Sequence, residues 1–495
     1  TVSKLKSLLK DYINKKLTFS QINEAVELIQ EFYLVNDFFL AKVTLPEQEV
    51  VDGIIYLNIN EGRLDKKDPY VIKAENLRLY KDILTDYLEN ALSTGVTKNG
   101  LERALLNIND LPGVSAVSSI EPGAEEGSSK IVLNVVEDDL VSGSITLDNH
   151  GNRYTAKQRN TIKIDFNNPS KIGDKLSITK TFNAGEKFDF TQFDYEVPVG
   201  QSGFKAFASA SRLEFEIGKE LRTNPVSLGN ADTIEVGVKY PIQRTNNQSV
   251  FLKTSIEKKE IYNETTGVLT NDKTLENAKI GLDFEGKNIF QDSSLTGVSV
   301  SGIFGDLDLS KVNSDYLNDQ KASGPKTHGD FNKVVLDFYH IHKFTDKINF
   351  KYYGSLQHAS KNLDSSEKFS LGGVSGVRAY PSGEASGDEG HKLSFEVQYD
   401  LSKPDMDFDL IGTLFYDYGK IRQYKDSSNI TLTTPNEYSL SGWGVSFDLI
   451  ANERVKLNLG WAQAIGDNDG QSSSGNNSDG RGGSSRAWFQ VVFRF

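Results

Sequence analysis

Leu393-Ser394-Phe395-Glu396-Val397-Gln398-Tyr399-Asp400-Leu401 alternates without a break between an apolar or aromatic residue and a polar one. Successive side chains of a strand point to opposite faces, so this is a strand with one apolar face and one polar face. The same period returns in Val455, Leu457, Leu459 and Trp461, set between Lys456, Asn458 and Gly460. It closes the chain in Phe489, Val491, Phe493 and Phe495, set between Gln490, Val492 and Arg494. From Val141 to Phe495 about sixteen such segments follow one another, each near the ~9–11 residues that cross a bilayer at a tilt. The connections alternate in length. Short ones fall near 167–173, 198–203, 245–248, 345–347, 402–407 and 451–454, and long ones near 218–232, 305–332, 361–390, 423–437 and 466–485. Short turns on one side and long loops on the other predict an outer-membrane β-barrel. A sheet in hydrocarbon must close on itself, because no backbone N–H can stay unpaired there. An even strand number returns both chain ends to one side, the periplasm.

Composition agrees with this reading. Only 37% of the 495 residues are hydrophobic, and the mean hydropathy is -0.42. No apolar run reaches the ~18 residues of a membrane helix. A barrel hides its apolar residues at every second position, so a low mean is expected. With 28 Phe, 20 Tyr and 42 Gly against 12 Pro, the chain suits long strands joined by turns. The absence of cysteine fits an envelope protein that avoids stray disulfides. A net charge of -13 argues against nucleic acid as a partner. The chain opens at Thr1 and its single methionine is Met406, so an upstream segment, most simply a removed signal peptide, is expected.

Residues 1–139 have another texture. Leu5, Leu8, Leu9, Tyr12 and Ile13 recur at helical spacing. Thr18 and Gln21 form a capping-box pattern ahead of Ile22, Ala25, Val26 and Ile29. A strand over 39–45 follows, and Ile55, Leu57 and Ile59 alternate as a second. Helices over 79–92 and 101–108 and strands over 114–120 and 130–136 repeat the order. Two units of one plan indicate a tandem repeat. The expected division is 1–66, 67–139 and a barrel over 140–495 with a long loop over 360–390.

Three motifs carry a family resemblance. The first is Leu45-Pro46-Glu47-Gln48, then Gly53, then Asn60-Glu61-Gly62-Arg63; the second is Leu101-Glu102-Arg103 through Leu111-Pro112-Gly113-Val114; the third is Gly376-Val377-Arg378-Ala379-Tyr380-Pro381 in a long loop. Together they resemble the TpsB transporters of two-partner secretion, relatives of the barrel-assembly protein BamA. The resemblance covers nearly the whole chain. It implies two periplasmic POTRA domains, the first opening after its initial strand, and a loop folded into a 16-stranded barrel. It also implies that Arg378 meets an Asp on the next-but-one strand, in an F-x-D-x-G pattern matched by Phe415-Tyr416-Asp417-Tyr418-Gly419. Alternation agrees: with Leu414, Tyr416 and Tyr418 outward, Asp417 points inward. Ala379 stands where the family's motif usually has Gly, which leaves the tip's backbone less free. Phe493 and Phe495 resemble the terminal aromatic signal read by the barrel-assembly machinery.

The implied function is export of a large partner exoprotein (an adhesin, a cytolysin or, by general likeness, a contact-dependent inhibition toxin) from periplasm to cell surface. The exoprotein docks on the POTRA domains by β-augmentation and threads the lumen. With no nucleotide motif in the chain, its folding outside supplies the direction. The rivals are a barrel-assembly factor and a passive porin. No cofactor is expected and no catalytic motif appears, so an enzyme is disfavoured. His340 and His342 share a strand face without a third ligand and read as plain strand histidines. Asp405, Asp407 and Asp409 read as a solvated turn, and 466–485 as a mobile surface loop.

Overall fold

A computed structural model of the protein describes residues 2–93, 95–125, 127–185 and 187–495. The capping box is formed: the Gln21 backbone N–H donates to the Thr18 hydroxyl at 3.3 Å, and the Thr18 N–H donates to Gln21 Oε1 at 2.9 Å. It starts the helix Phe19–Val35, whose Ala25, Ile29 and Tyr33 are buried. That face packs with Ala41 and Val43. The strand Lys42–Thr44 pairs antiparallel with Asn58–Asn60. A helix over Val2–Leu8 precedes them.

The second unit has the helices Lys81–Leu92 and Lys98–Asn109 over a sheet centred on Ser128–Glu137. Val114–Pro122 pairs antiparallel on one side of that strand, and Tyr70–Ala74 pairs parallel on the other. Arg63–Leu64 pairs parallel with Ser128 and Ser129, which ties the end of the first unit to this sheet. Leu84, Leu88, Ile108, Ile131 and Leu133 form the centre of its core. The strand Tyr70–Ala74 shows no alternation because it is only five residues long and opens with Tyr70, Val71 and Ile72 in one unbroken apolar run.

The remainder is a closed barrel of sixteen strands. They are β1 (Val141–Asp148), β2 (Arg159–Asn167), β3 (Lys175–Phe182), β4 (Phe188–Pro198), β5 (Lys205–Glu216), β6 (Leu228–Arg244), β7 (Gln248–Thr265) and β8 (Val268–Lys287). They continue as β9 (Ser294–Asp308), β10 (Gly329–Lys343), β11 (Ile348–Ala359), β12 (Glu389–Asp400), β13 (Phe408–Arg422), β14 (Glu437–Ala451), β15 (Val455–Ala464) and β16 (Ser485–Arg494). All neighbours are antiparallel, and β16 returns to β1 with Gln490 opposite Asp148 and Arg494 opposite Ser144. Gly143 and Phe495 exchange backbone bonds at 2.8 and 3.1 Å just beyond, so the last residue completes the seam.

Alternation holds as expected. Leu414 and Tyr416 face outward, and Phe415 and Asp417 are buried inside. Loop lengths depart from strict alternation at two places on the long-loop side. Residues 183–187 connect β3 to β4, and Thr266-Gly267 alone connect β7 to β8. Both turn residues have positive φ, 52° and 76°, the backbone of a tight hairpin turn. Strands β7 and β8, of 18 and 20 residues, extend past the membrane span instead of ending in a loop.

The second unit is seated on the barrel's short turns. Arg244 at the end of β6 donates Nε and Nη2 to the Asp110 carboxylate at 2.9 and 2.7 Å. The Asn246 N–H donates to Glu102 at 2.6 Å, and Lys205 Nζ donates to the Asp110 carbonyl at 2.9 Å. Asp110 thereby lies at the mouth of the lumen.

Candidate functional site: a loop folded into the lumen

The chain between β11 and β12 turns inward. Two-residue strands, Phe369–Ser370 and Ser386–Gly387, pair with each other and narrow the loop's neck. Inside it, the Val377 N–H donates to the Leu371 carbonyl at 2.6 Å, and the Gly373 N–H donates to the Tyr380 carbonyl at 3.1 Å. Leu371, Val377, Ala379 and Tyr380 pack against Phe415, Leu440 and Ala462 of the barrel wall. The loop therefore carries a small apolar core where it meets the barrel wall.

Arg378 is the centre of the tip. Its Nε and Nη2 donate to the two oxygens of Asp417 at 2.8 and 2.7 Å, and its backbone N–H donates to the same carboxylate at 3.0 Å. Nη1 donates to Glu396 at 2.7 Å, and Nη2 also reaches the Ser394 hydroxyl at 2.8 Å. The guanidinium lies 3.4 Å from the centre of the Phe415 ring. Its carbonyl accepts the Trp488 indole N–H at 2.7 Å. A planar fork held by two carboxylates over an aromatic face is a geometry that lysine cannot copy. Asp417 is 1% exposed, so the pair is desolvated and geometrically exacting.

The surroundings explain the motif residues. A side chain at Gly419 would meet Leu371 at 2.5 Å, so the glycine leaves room for the loop. Ala379 does not have the left-handed backbone that would require glycine. Its methyl sits where a side chain on Gly442 of β14 would be, 2.6 Å from that position. Alanine at 379 thus needs no left-handed backbone at the tip. Pro381 accepts the Glu384 N–H at 3.2 Å in the turn that follows.

Glu396, Ser394 and Trp488 were not singled out from sequence. The signal for the first two was present: both lie on the polar face of the 393–401 alternation, and Ser394 is paired in register with Asp417. The stretch 466–485 also differs from the free surface loop expected. Asn477 and Asp479 are buried. The Ser478 N–H donates to Glu384 of the lumen loop at 2.7 Å, and Asn468 bonds the same carboxylate. Ser382 donates to the His150 carbonyl at 2.7 Å, so the β1–β2 loop joins this cap. Beneath the tip lies a cavity of about 930 Å³, lined by Asp110, Arg244, Asp283, Glu285, Lys392 and Arg378 among others. His340 shares a 2.9 Å bond with Thr296.

The periplasmic signature residues are architectural. The Gln48 amide brackets the Tyr56 backbone, donating to its carbonyl at 2.8 Å and accepting its N–H at 2.7 Å. It also donates to the Pro46 carbonyl at 3.2 Å. Gly53 has φ +74° in the turn between them, which presents Val50, Val51, Ile54 and Tyr56 outward. Glu61 accepts the Tyr33 hydroxyl at 2.8 Å, and burial with this contact pushes the Tyr33 phenol up to about 12. Gly62 has φ +79° against Leu40, and Arg63 pairs with Glu125 at 3.0 Å. Asp65 accepts backbone N–H bonds from Ala124, Asp68 and Lys67, which lower its pKa to about 2. Gly113, after Pro112, has φ +70° and its carbonyl accepts the Asp138 N–H at 2.7 Å. Phe493 and Phe495 are exposed on the outer face of the seam.

The family described as haemolysin secretion/activation protein ShlB/FhaC/HecB matches residues 127–449, and the POTRA domain of ShlB type matches residues 1–62. The chain is 26% identical over 468 residues to the heme/hemopexin transporter protein HuxB of Haemophilus influenzae (strain 86-028NP), covering 94% of this chain and 81% of that protein. It is 24% identical over 399 residues to the outer membrane transporter CdiB of Dickeya dadantii (strain 3937), covering 78% and 67%. The solved structure of CdiB from Escherichia coli superposes with a TM-score of 0.78 at 18% identity, covering 100% of this chain and 88% of the other.

Proposed function

This chain belongs to the ShlB/FhaC/HecB family of haemolysin secretion/activation proteins, and from that premise we propose how its parts divide the work of export. It is an outer-membrane β-barrel with periplasmic POTRA domains that secretes a partner exoprotein. Residues 1–66 and 67–139 are the two domains that receive the partner, and 140–495 is the conduit. The strand Val114–Pro122 pairs on one edge with Ser128–Glu137, and its other edge supports capture of an extended segment through backbone bonds. The apolar turn around Val50, Val51, Ile54 and Tyr56 supports a second contact. The greater reach of the likeness to the heme/hemopexin transporter than to CdiB favours cargo of that kind over a contact-dependent inhibition toxin. Phe493 and Phe495 serve recognition by the assembly machinery.

The observation that carries the reading of the site is the five-bond seat of Arg378 on Asp417, Glu396 and Ser394. It holds the loop tip in the path that an exported chain must take. The decisive experiment is secretion of the exoprotein encoded beside this gene, comparing wild type with Arg378→Ala at matched barrel levels. Export by wild type and a loss of tenfold or more in the variant is expected, roughly what ~1.4 kcal/mol of altered loop placement gives. Equal export would remove the role of Arg378. No export by a correctly inserted wild type would favour a porin, and general loss of outer-membrane barrels on depletion would favour an assembly factor.

A further inference from the structure

The loop is fastened at a second place, on strands that precede it in the barrel wall. Glu367, 5% exposed, accepts Lys259 of β7 at 2.8 Å and Lys333 of β10 at 2.8 Å. Three residues earlier, Asp364 accepts Lys273 of β8 at 2.7 Å. Lys333 and Lys273 are buried as well. Behind these pairs, Leu363 packs with Leu275, Leu307, Phe331 and Ala359, which presses the loop's base onto that wall. The run of opposite charges continues into the wall: Lys259 lies 3.8 Å from Glu257, Glu257 2.6 Å from Lys279, and Lys279 3.7 Å from Glu235. Arg378, by contrast, is tied to β12 and β13. The loop thus rests on two ionic seats, one on β7, β8 and β10 and the other on β12 and β13, with β11 between them.

A lysine on the inner face of a barrel strand is easily solvated when the lumen is open to water. Burying Lys273 and Lys333, and half-burying Lys259, is costly unless each meets a carboxylate. Here the carboxylates come from the loop, so the cost and its compensation depend on the loop being in place. Releasing the tip alone leaves the base clipped. We propose that Glu367, with Lys259 and Lys333, is a second positioning anchor, independent of Arg378, that keeps the loop in the lumen until both seats open. This rests on the reading of the lumen as the export path.

The test is conductance of the purified full-length protein in planar lipid bilayers. Glu367→Gln raises the open probability by roughly tenfold, as loss of one buried ionic anchor supports. Lys259→Gln with Lys333→Gln does the same, and Lys259→Arg with Lys333→Arg stays near wild type, since charge is kept. Combined with Arg378→Ala, Glu367→Gln opens the channel more than either alone. Heat-modifiable gel migration reports folding, and if Glu367→Gln misfolds, the Gln and Arg lysine pairs decide. Conductance of Glu367→Gln equal to wild type, or a double variant no more open than Arg378→Ala, overturns the proposal. Secretion is scored separately: wild type that fails to export while the conductance pattern holds defeats the transporter reading and leaves the anchor standing.

Discussion

The second periplasmic unit and the barrel solve the same packing problem in opposite senses. In the first, Leu84, Leu88, Ile108, Ile131 and Leu133 are fully enclosed and form a core built of hydrophobic side chains. In the barrel, Leu414 and Tyr416 face outward at 53% and 44% exposure, and the charged Asp417 beside them is enclosed at 1%. The medium sets the sense. Water drives apolar residues inward, whereas hydrocarbon accepts them outside and leaves the lumen to polar groups. An apolar core is tolerant of direction, because burial is non-directional. An ionic seat is not, because it works only in one geometry. The barrel therefore uses its interior to position something, and the periplasmic unit uses its interior to stay folded.

Three changes test that contrast, taken from the largest expected effect. Asp417→Ala leaves Arg378 with one carboxylate, Glu396, in place of two and a buried charge partly uncompensated, a change worth ~3–5 kcal/mol for a fully buried pair. It frees the tip without unfolding the barrel, so proteinase cuts within 370–385 appear while heat-modifiable migration is kept. A loop as protected as in wild type would break the contrast. Leu88→Ala removes a fully enclosed side chain and destabilises the second unit by ~2–5 kcal/mol. Limited proteolysis should digest residues 67–139 sooner at unchanged barrel heat resistance. A barrel that weakens with it would show that the seat of Asp110 on Arg244 couples the two. The smallest effect concerns pH. Asp65 is held below its ordinary range by three backbone donors, so its contribution is present above its unfolded pKa and is lost as pH falls toward about 2. Pepsin sensitivity of the periplasmic region should rise between about pH 4 and 2 in wild type, and Asp65→Asn should flatten that rise. An unchanged slope in the variant would assign the acid sensitivity to other groups.

The alternation of 393–401 and of 455–461 decided strand, face and barrel from residues alone, because period 2 is a property of the backbone. The phase of Leu414 to Gly419 likewise decided that Asp417 points inward, and Thr18 with Gln21 decided where a helix starts. These are local facts, carried by neighbours a few positions apart. That Glu396 completes the seat of Arg378, that Ala379 fills the space left by Gly442, and that Glu384 draws in Asn468 and Ser478 are contacts between distant segments. The same holds for the three lysines that meet Asp364 and Glu367. A polar face shows that a residue looks into the lumen, but its partner there depends on strand register, stagger and how the loop crosses, and those arise only when the sheet closes.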